Sequence, residues 1–328
     1  MGPSRRPSSV RGSGACRSPA GAETVMDTHA HCMKYAFAGV LLVLVSAASH
    51  AQIGQQLGQI RYNAGQNVVP VFEGWEKNSD GTFNLVFGYM NRNYKEEPEI
   101  PIGPNNTFSP GPADQGQPTH FYPRRQQFMF KVKVPADFGR KELVWTVTRN
   151  GQIEKAFGTL LMEEQLTDVV ISENRGGLGN DSVTAKPNQP PKISIDGAGT
   201  RTAAVGEVVA LTASATDDGI PAPPPGRGRG GPPVAVVDGV PLQTTRERPT
   251  TQAIVKPSRE GLAVTWTHWR GPGRLAFEPM TVVVKDGKAM TRVTFTEPGT
   301  YVVRAYADDG ILAVPADVTI NVSGKAAP

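Results

Sequence analysis

Two acidic pairs in this chain stand where a strand would end. Asp217-Asp218 and Asp308-Asp309 are each followed by glycine. Four carboxylates gathered at one end of a domain would supply the oxygen ligands that calcium prefers. The same Asp-Asp-Gly triplet also makes a solvated turn in which aspartate accepts backbone hydrogen bonds, and no full calcium-loop pattern accompanies it. A second group, His120-Phe121-Tyr122-Pro123-Arg124-Arg125, combines aromatic faces with cations. His120, Tyr122, Arg124 and Arg125 suit stacking on a sugar ring or clamping an anion. The competing expectation is a long loop whose aromatics cover the edge of a domain.

Catalytic constellations are not expected. The chain has five histidines, and beyond residue 51 only His120 and His268 remain, far apart in sequence. His268, beside Trp266 and Trp269, reads as a strand-end residue. There is no His-Glu-x-x-His, no Gly-x-Ser-x-Gly elbow and no phosphate-cradling glycine loop leading into a helix. Glu96-Glu97 and Glu163-Glu164 are adjacent acids, and neighbours on a strand point to opposite faces, which does not suit a paired-carboxylate hydrolase. No cofactor is expected, calcium at the aspartates excepted.

The elements that must position these groups are strands. Phe83, Leu85, Phe87 and Tyr89 alternate with smaller or polar residues, as do Phe128, Phe130, Val132 and Val134, and then Leu143, Trp145 and Val147. Asp80-Gly81 and Asn150-Gly151 lie between such runs and accept the positive φ of tight hairpins. Residues 96–125 carry seven prolines and cannot form a central strand. Residues 160–173 form a short helix or an extended tail. This first module spans 52–177, a polar linker spans 178–191, and a second module spans 192–322, before a short tail, 323–328. In the second module Val209, Leu211, Ala213 and Ala215 alternate, as do Val264 and Trp266, Val293 and Phe295, and Tyr301, Val303, Ala305 and Ala307. Val318, Ile320 and Val322 form the last strand. The expected fold is all-β, two antiparallel β-sandwich modules in tandem.

Residues 1–51 read as a leader. Lys34 precedes 13 mostly apolar residues, 36–48, and then Ser49-His50-Ala51. A positive flank, a short apolar run and a small-x-small triplet make a secretory signal peptide, too short for a permanent membrane span, with translation starting at Met26 or Met33. Both cysteines, Cys16 and Cys32, precede the run, so the exported part carries no disulfide. The formal charge of +4 belongs mostly to this leader. It holds five of the 34 basic and two of the 30 acidic residues, and the remainder is +1. Charge therefore does not argue for nucleic acid. Neither does the Pro- and Arg-Gly-rich insertion at 219–261, which has no aromatics interleaved with the glycines and arginines of its tract. Its composition is that of a disordered linker, with a basic loop touching anionic glycan or lipid as the alternative.

A central Trp on one strand and a Tyr just after a corner are features that pin immunoglobulin-like cores. Val205-Gly-Glu-Val-Val-Ala-Leu-Thr-Ala, Val264-Thr-Trp-Thr and the stretch from Glu297-Pro-Gly-Thr-Tyr301 to Asp308-Asp309-Gly310 resemble strands of PKD-type or cadherin-like extracellular modules. The insertion departs from that pattern. The resemblance implies an immunoglobulin-like spacer, adhesive or accessory domain without enzymatic activity. The first module is similar to uncharacterised secreted bacterial proteins, a likeness that implies no function. The expected protein is thus an exported, periplasmic or extracellular, non-enzymatic binding, adhesion or structural protein of the bacterial envelope, its partner a surface polymer or envelope protein. A secreted hydrolase or its accessory subunit, and a calcium-stiffened spacer, are the alternatives.

Overall fold

The computed structural model describes residues 62–175, 188–221, 236–237, 240–241, 253–256, 258 and 260–324. The leader, most of the linker, most of the insertion and the end of the tail lie outside the described residues. All the described residues fall within one compact unit, Arg61–Pro328.

The first sandwich pairs two three-stranded sheets. One has the order β1 (Val68–Lys77), β2 (Phe83–Asn91), β4 (Arg124–Val134), and the other β3 (Asn106–Ser109), β5 (Leu143–Arg149), β6 (Gln152–Gly158). The alternating aromatics meet between the sheets. Phe87 and Phe130 from one sheet lie against Phe108 and Trp145 from the other, with ring centroids 5.1–6.2 Å apart. Asn150-Gly151 is a two-residue hairpin between β5 and β6, with φ of 52° and 74°, as that dipeptide favours. Alternation fails at one residue. Phe130, Val132 and Val134 are buried as expected, but Phe128 has φ 53° and Met129 takes the inward position. The β2–β4 register shifts between Phe87 and Tyr89. At that shift the Gln126 carbonyl and the Glu73 carboxylate come so close to Gly88 that a Cβ there would collide with both.

Residues 160–173, left open between helix and tail, form a single turn, Met162–Glu164, and then a helix, Asp168–Asn174. Thr167 caps the helix by accepting from Val170 N. No helix among the described residues is long and apolar enough to cross a membrane.

The second sandwich has immunoglobulin strand order. A four-stranded sheet runs β13 (Leu275–Glu278), β15 (Lys288–Phe295), β9 (Val208–Thr216), β7 (Lys192–Ile195). Opposite it a five-stranded sheet runs β14 (Thr281–Val283), β12 (Ala263–Arg270), β16 (Gly299–Asp308), β17 (Ala313–Ser323), β8 (Thr200–Ala204). Only β8 pairs parallel. Tyr301, just after the corner, donates its hydroxyl to the Glu297 carbonyl at 2.7 Å, and Trp266 is fully buried on the central strand β12. Both are immunoglobulin core devices. Between β9 and β12 in the chain, β10 (Val236–Val237) and β11 (Val240–Pro241) pair with each other.

The five-stranded sheet is covered on both faces. Val264, Trp266, Tyr301, Val303 and Ala305 enter the second core, while Trp269 and Tyr306 enter the first. Tyr306 Oη donates to the Met129 carbonyl at 2.7 Å, and Trp269 Nε1 to the Gly116 carbonyl at 3.1 Å. Arg270 makes two bonds to Asp114, of 2.8 and 2.7 Å. The end of the insertion joins in. Val255 belongs to the first core, and Ile254 N donates to Gln126 Oε1 at 2.8 Å. Docked in this way, the sandwiches should unfold together. Tyr306→Phe leaves the buried Met129 carbonyl without its partner and should cost about 1–2 kcal/mol. Trp269→Ala should cost about 3–5 kcal/mol and split a single urea transition into two when followed by circular dichroism. A single unshifted transition in Trp269→Ala would contradict the docking.

Candidate functional site

The acidic pairs end β9 and β16 and are engaged mainly by nearby backbone. Asp217 Oδ2 accepts from Gly219 N (2.9 Å), and Asp218 Oδ1 from Ile220 N (2.9 Å). Asp308 Oδ1 accepts from Gly310 N (2.8 Å), and Asp309 Oδ1 from Ile311 and Leu312 N (2.7 and 2.8 Å). These are the local turns that aspartate favours. Asp308 also forms an ion pair with Arg175, and Asp309 Oδ2 accepts from Asn188 at 3.0 Å. Asp217 and Asp309 line one groove with Glu260. Among the described residues no three of the four aspartates bring carboxylate oxygens within 4.8 Å of one another. Burial pushes the Asp309 carboxyl up to about 6, with the charge of Asp217 adding to the effect and Asn188 and the backbone opposing it.

The aromatic and cationic loop residues do not share one surface. Arg124 lies 4.2 Å over the Tyr94 ring, and Arg125 pairs with Glu73 at 2.7 Å. Tyr122 and His120 are 7% and 3% exposed, turned into the junction between the sandwiches. Tyr122 Oη accepts from His268 N at 2.8 Å, and its own N donates to Tyr89 Oη at 2.9 Å.

How the loop reaches that position follows from its backbone bonding. Prolines donate no ladder bonds, so buried side-chain amides satisfy its carbonyls. Asn106 Nδ2 donates to the Ile100 and Pro118 carbonyls at 2.9 and 2.8 Å, while its Oδ1 accepts from Trp145 Nε1 at 2.9 Å. Asn91 Nδ2 holds the Glu96 and Phe121 carbonyls at 2.8 and 3.0 Å. The loop doubles back on itself. Phe121 N donates to the Pro98 carbonyl and Ile100 N to the Thr119 carbonyl, with Glu99 opposite His120. In extended backbone Glu97 and Glu99 share a face, and both carboxylates reach the same imidazole.

His120 and His268, from the two modules, therefore stack. Their ring centroids are 4.2 Å apart and the planes 27° from parallel. His120 Nε2 lies 3.1 Å from Glu97 Oε2, and His120 Nδ1 lies 3.9 Å from Glu99 Oε1, beyond hydrogen-bond reach. His120 Nδ1 and both ring nitrogens of His268 are buried without a partner. One ligand atom from each of Glu99, His120 and His268 lies within 4.8 Å of the others. Burial pulls the His120 pKa down, but the hydrogen bond to Glu97 and the nearby charges of Glu97 and Glu99 outweigh it and the net shift is upward. His268 is held down to about 3 by burial and then by the charge of His120. No spacing signal marks this pair, because a 148-residue separation carries no local pattern.

No protein-family model matches the chain, and no curated protein matches it by sequence. Among solved structures, the chain is similar to the S-layer protein rSbsC(31-844), at 8% identity and TM-score 0.21, covering 79% of this chain and 28% of that one. It is similar to fibronectin(III)-like modules of Clostridium thermocellum CbhA, at 11% identity and TM-score 0.22, covering 79% and 95%. The D0-D1 domain of intimin matches at 13% identity and TM-score 0.22, covering 78% and 100%. The chain spans between a quarter and a third of the length of the S-layer protein. Superpositions this loose bear on neither fold nor function, both of which rest on strand order and side-chain geometry.

The groove of Asp217 and Asp309 has a pH signature. Because the folded state raises the Asp309 pKa from its ordinary 3.8 to about 6, the folded protein holds more protons than the unfolded one between those values. Stability from this group therefore falls as pH rises through that window. Asp309→Asn keeps an acceptor for Ile311 and Leu312 and should flatten melting temperature against pH between 4 and 6. An unchanged slope would show that burial of Asp309 does not set it.

Proposed function

We propose that this chain is an exported, non-enzymatic protein of the bacterial envelope or cell surface. In this reading two immunoglobulin-like sandwiches act as one stiff binding, adhesive or structural unit. The observation that carries it is the double-sided burial of β12 and β16, which makes the second sandwich a fixed extension of the first. Inter-domain contacts are ordinarily polar and permit motion. Here a Trp, a Tyr and a two-bond Arg–Asp pair lock them. Such a unit holds its loops at a constant separation, which suits recognition of an extended surface polymer or an envelope protein. The PKD-type reading of the second module, and export through the leader at 1–51, belong to the same proposal.

The test is fractionation of cells producing the native chain, with N-terminal sequencing of the product. The expected outcome is protein in the periplasm or outside the cell, beginning at Gln52, and resistant to limited proteolysis between the sandwiches. An unprocessed cytoplasmic protein would overturn the reading.

A further inference from the structure

We propose that Glu99, His120 and His268 bind a zinc-class divalent transition-metal ion that bridges the two sandwiches. The inference rests on the junction geometry and is independent of export. Three facts carry it. The two imidazoles are 3% and 2% exposed, and three of their four ring nitrogens have no partner. A buried polar atom left unsatisfied is rare in native proteins and ordinarily points to a missing partner. The donor set is two imidazoles and a carboxylate, which suits zinc and its neighbours rather than calcium or magnesium. The fourth ring nitrogen, His120 Nε2, already faces Glu97. That leaves His120 Nδ1 to the ion and gives the carboxylate–histidine–metal arrangement in which an outer acid fixes the tautomer and orients the ring.

The ligand atoms lie within 4.8 Å of one another and must close to about 3.4 Å around an ion bound at about 2.1 Å. Broad rotation about histidine χ2 and the flexible side chain of Glu99 supply that adjustment. Glu99 is exposed, so it gives the ion a way in from solvent and leaves room for a water as the remaining ligand. Both histidine backbones are anchored across the junction. His268 N donates to Tyr122 Oη (2.8 Å) and His120 N to the Trp269 carbonyl (3.4 Å). An ion held there would tie the loop of the first sandwich to β12 of the second.

The experiment titrates the metal-free full chain with zinc sulfate by calorimetry and with cobalt(II) by visible absorption. Parallel titrations use Glu99→Gln, His268→Gln and Glu97→Gln, with folding checked by circular dichroism. Expected are one equivalent at micromolar affinity or tighter, cobalt bands of a four- or five-coordinate site, and a melting temperature raised by about 5 °C at a hundredfold excess over Kd. Glu99→Gln, at an exposed position, should stay folded and lose that equivalent. His268→Gln should lose it as well. Glu97→Gln should keep the stoichiometry and weaken affinity about 10–100-fold. Binding of the same equivalents by Glu99→Gln and wild type would place the metal elsewhere, for instance on residues 1–51, and overturn the proposal. Absence of any binding tighter than millimolar would overturn it too.

Discussion

Covering the outer face of the five-stranded sheet is the constraint on which the other features depend. An isolated immunoglobulin-like sandwich turns polar residues outward from its central strands. Here β12 and β16 turn Trp269, Arg304 and Tyr306 outward, and all three are buried. Burial of such groups is tolerable only when their polar atoms find partners. The first sandwich supplies them as the carbonyls of Met129 and Gly116. Burial pushes the Tyr306 hydroxyl up to about 12, so it remains a donor at any physiological pH. Arg304 is held by its own sheet, with two bonds of 2.7 Å to Asp317 and its guanidinium 3.8 Å over the Trp269 ring. Its charge is thereby both neutralised and stacked.

The proline-rich loop is the counterpart of that face. A chain segment without ladder hydrogen bonds could not pack against a sheet unless its carbonyls were satisfied. Buried Asn91, Asn106 and Gln117 do this. The loop then behaves as a rigid wall. Residues 119–122 come to lie along β12, with Thr119 and His120 both donating to the Trp269 carbonyl. Of the residues that look like a recognition cluster in the sequence, His120 and Tyr122 are used to join two domains.

Strands were legible because period-two alternation is a local signal, and β15 and β5 bury the residues that it marks, as β9 does for Leu211, Ala213 and Ala215. The turns were legible for the same reason, as Asn150-Gly151 shows. Phe128 was not, since nothing in Phe128–Val134 announces that Gly88, on the partner strand, admits a shift in register. The junction was the largest omission. Its one sequence trace is that outward positions of the alternating strands carry large apolar or aromatic residues, Val302 and Tyr306 on β16 and Trp269 on β12. A sheet open to water on one face would alternate, and one buried on both faces reads as a continuous run. That departure from alternation marks a covered sheet, but it does not say which segment covers it, so His120 and His268 stay in separate modules on paper.

The acids and the histidines have different fates for a topological reason. Each aspartate of the two Asp-Asp-Gly turns has a backbone N–H two residues ahead, so the chain that delivers the carboxylate also satisfies it. Imidazoles brought together from residues 120 and 268 are not satisfied in this way, and His120 Nδ1 and both His268 ring nitrogens make no hydrogen bond. Their positions are fixed by bonds made for other reasons: Tyr122 Oη to the backbone of β12, and the doubled loop to itself. Neither ring can move far without disturbing the docking of the sandwiches. Fixed in place and orphaned, the pair costs the fold about 1–3 kcal/mol for each unsatisfied nitrogen. Apolar packing in the surrounding cores offsets that cost, and the cost falls away when a third group joins the two rings.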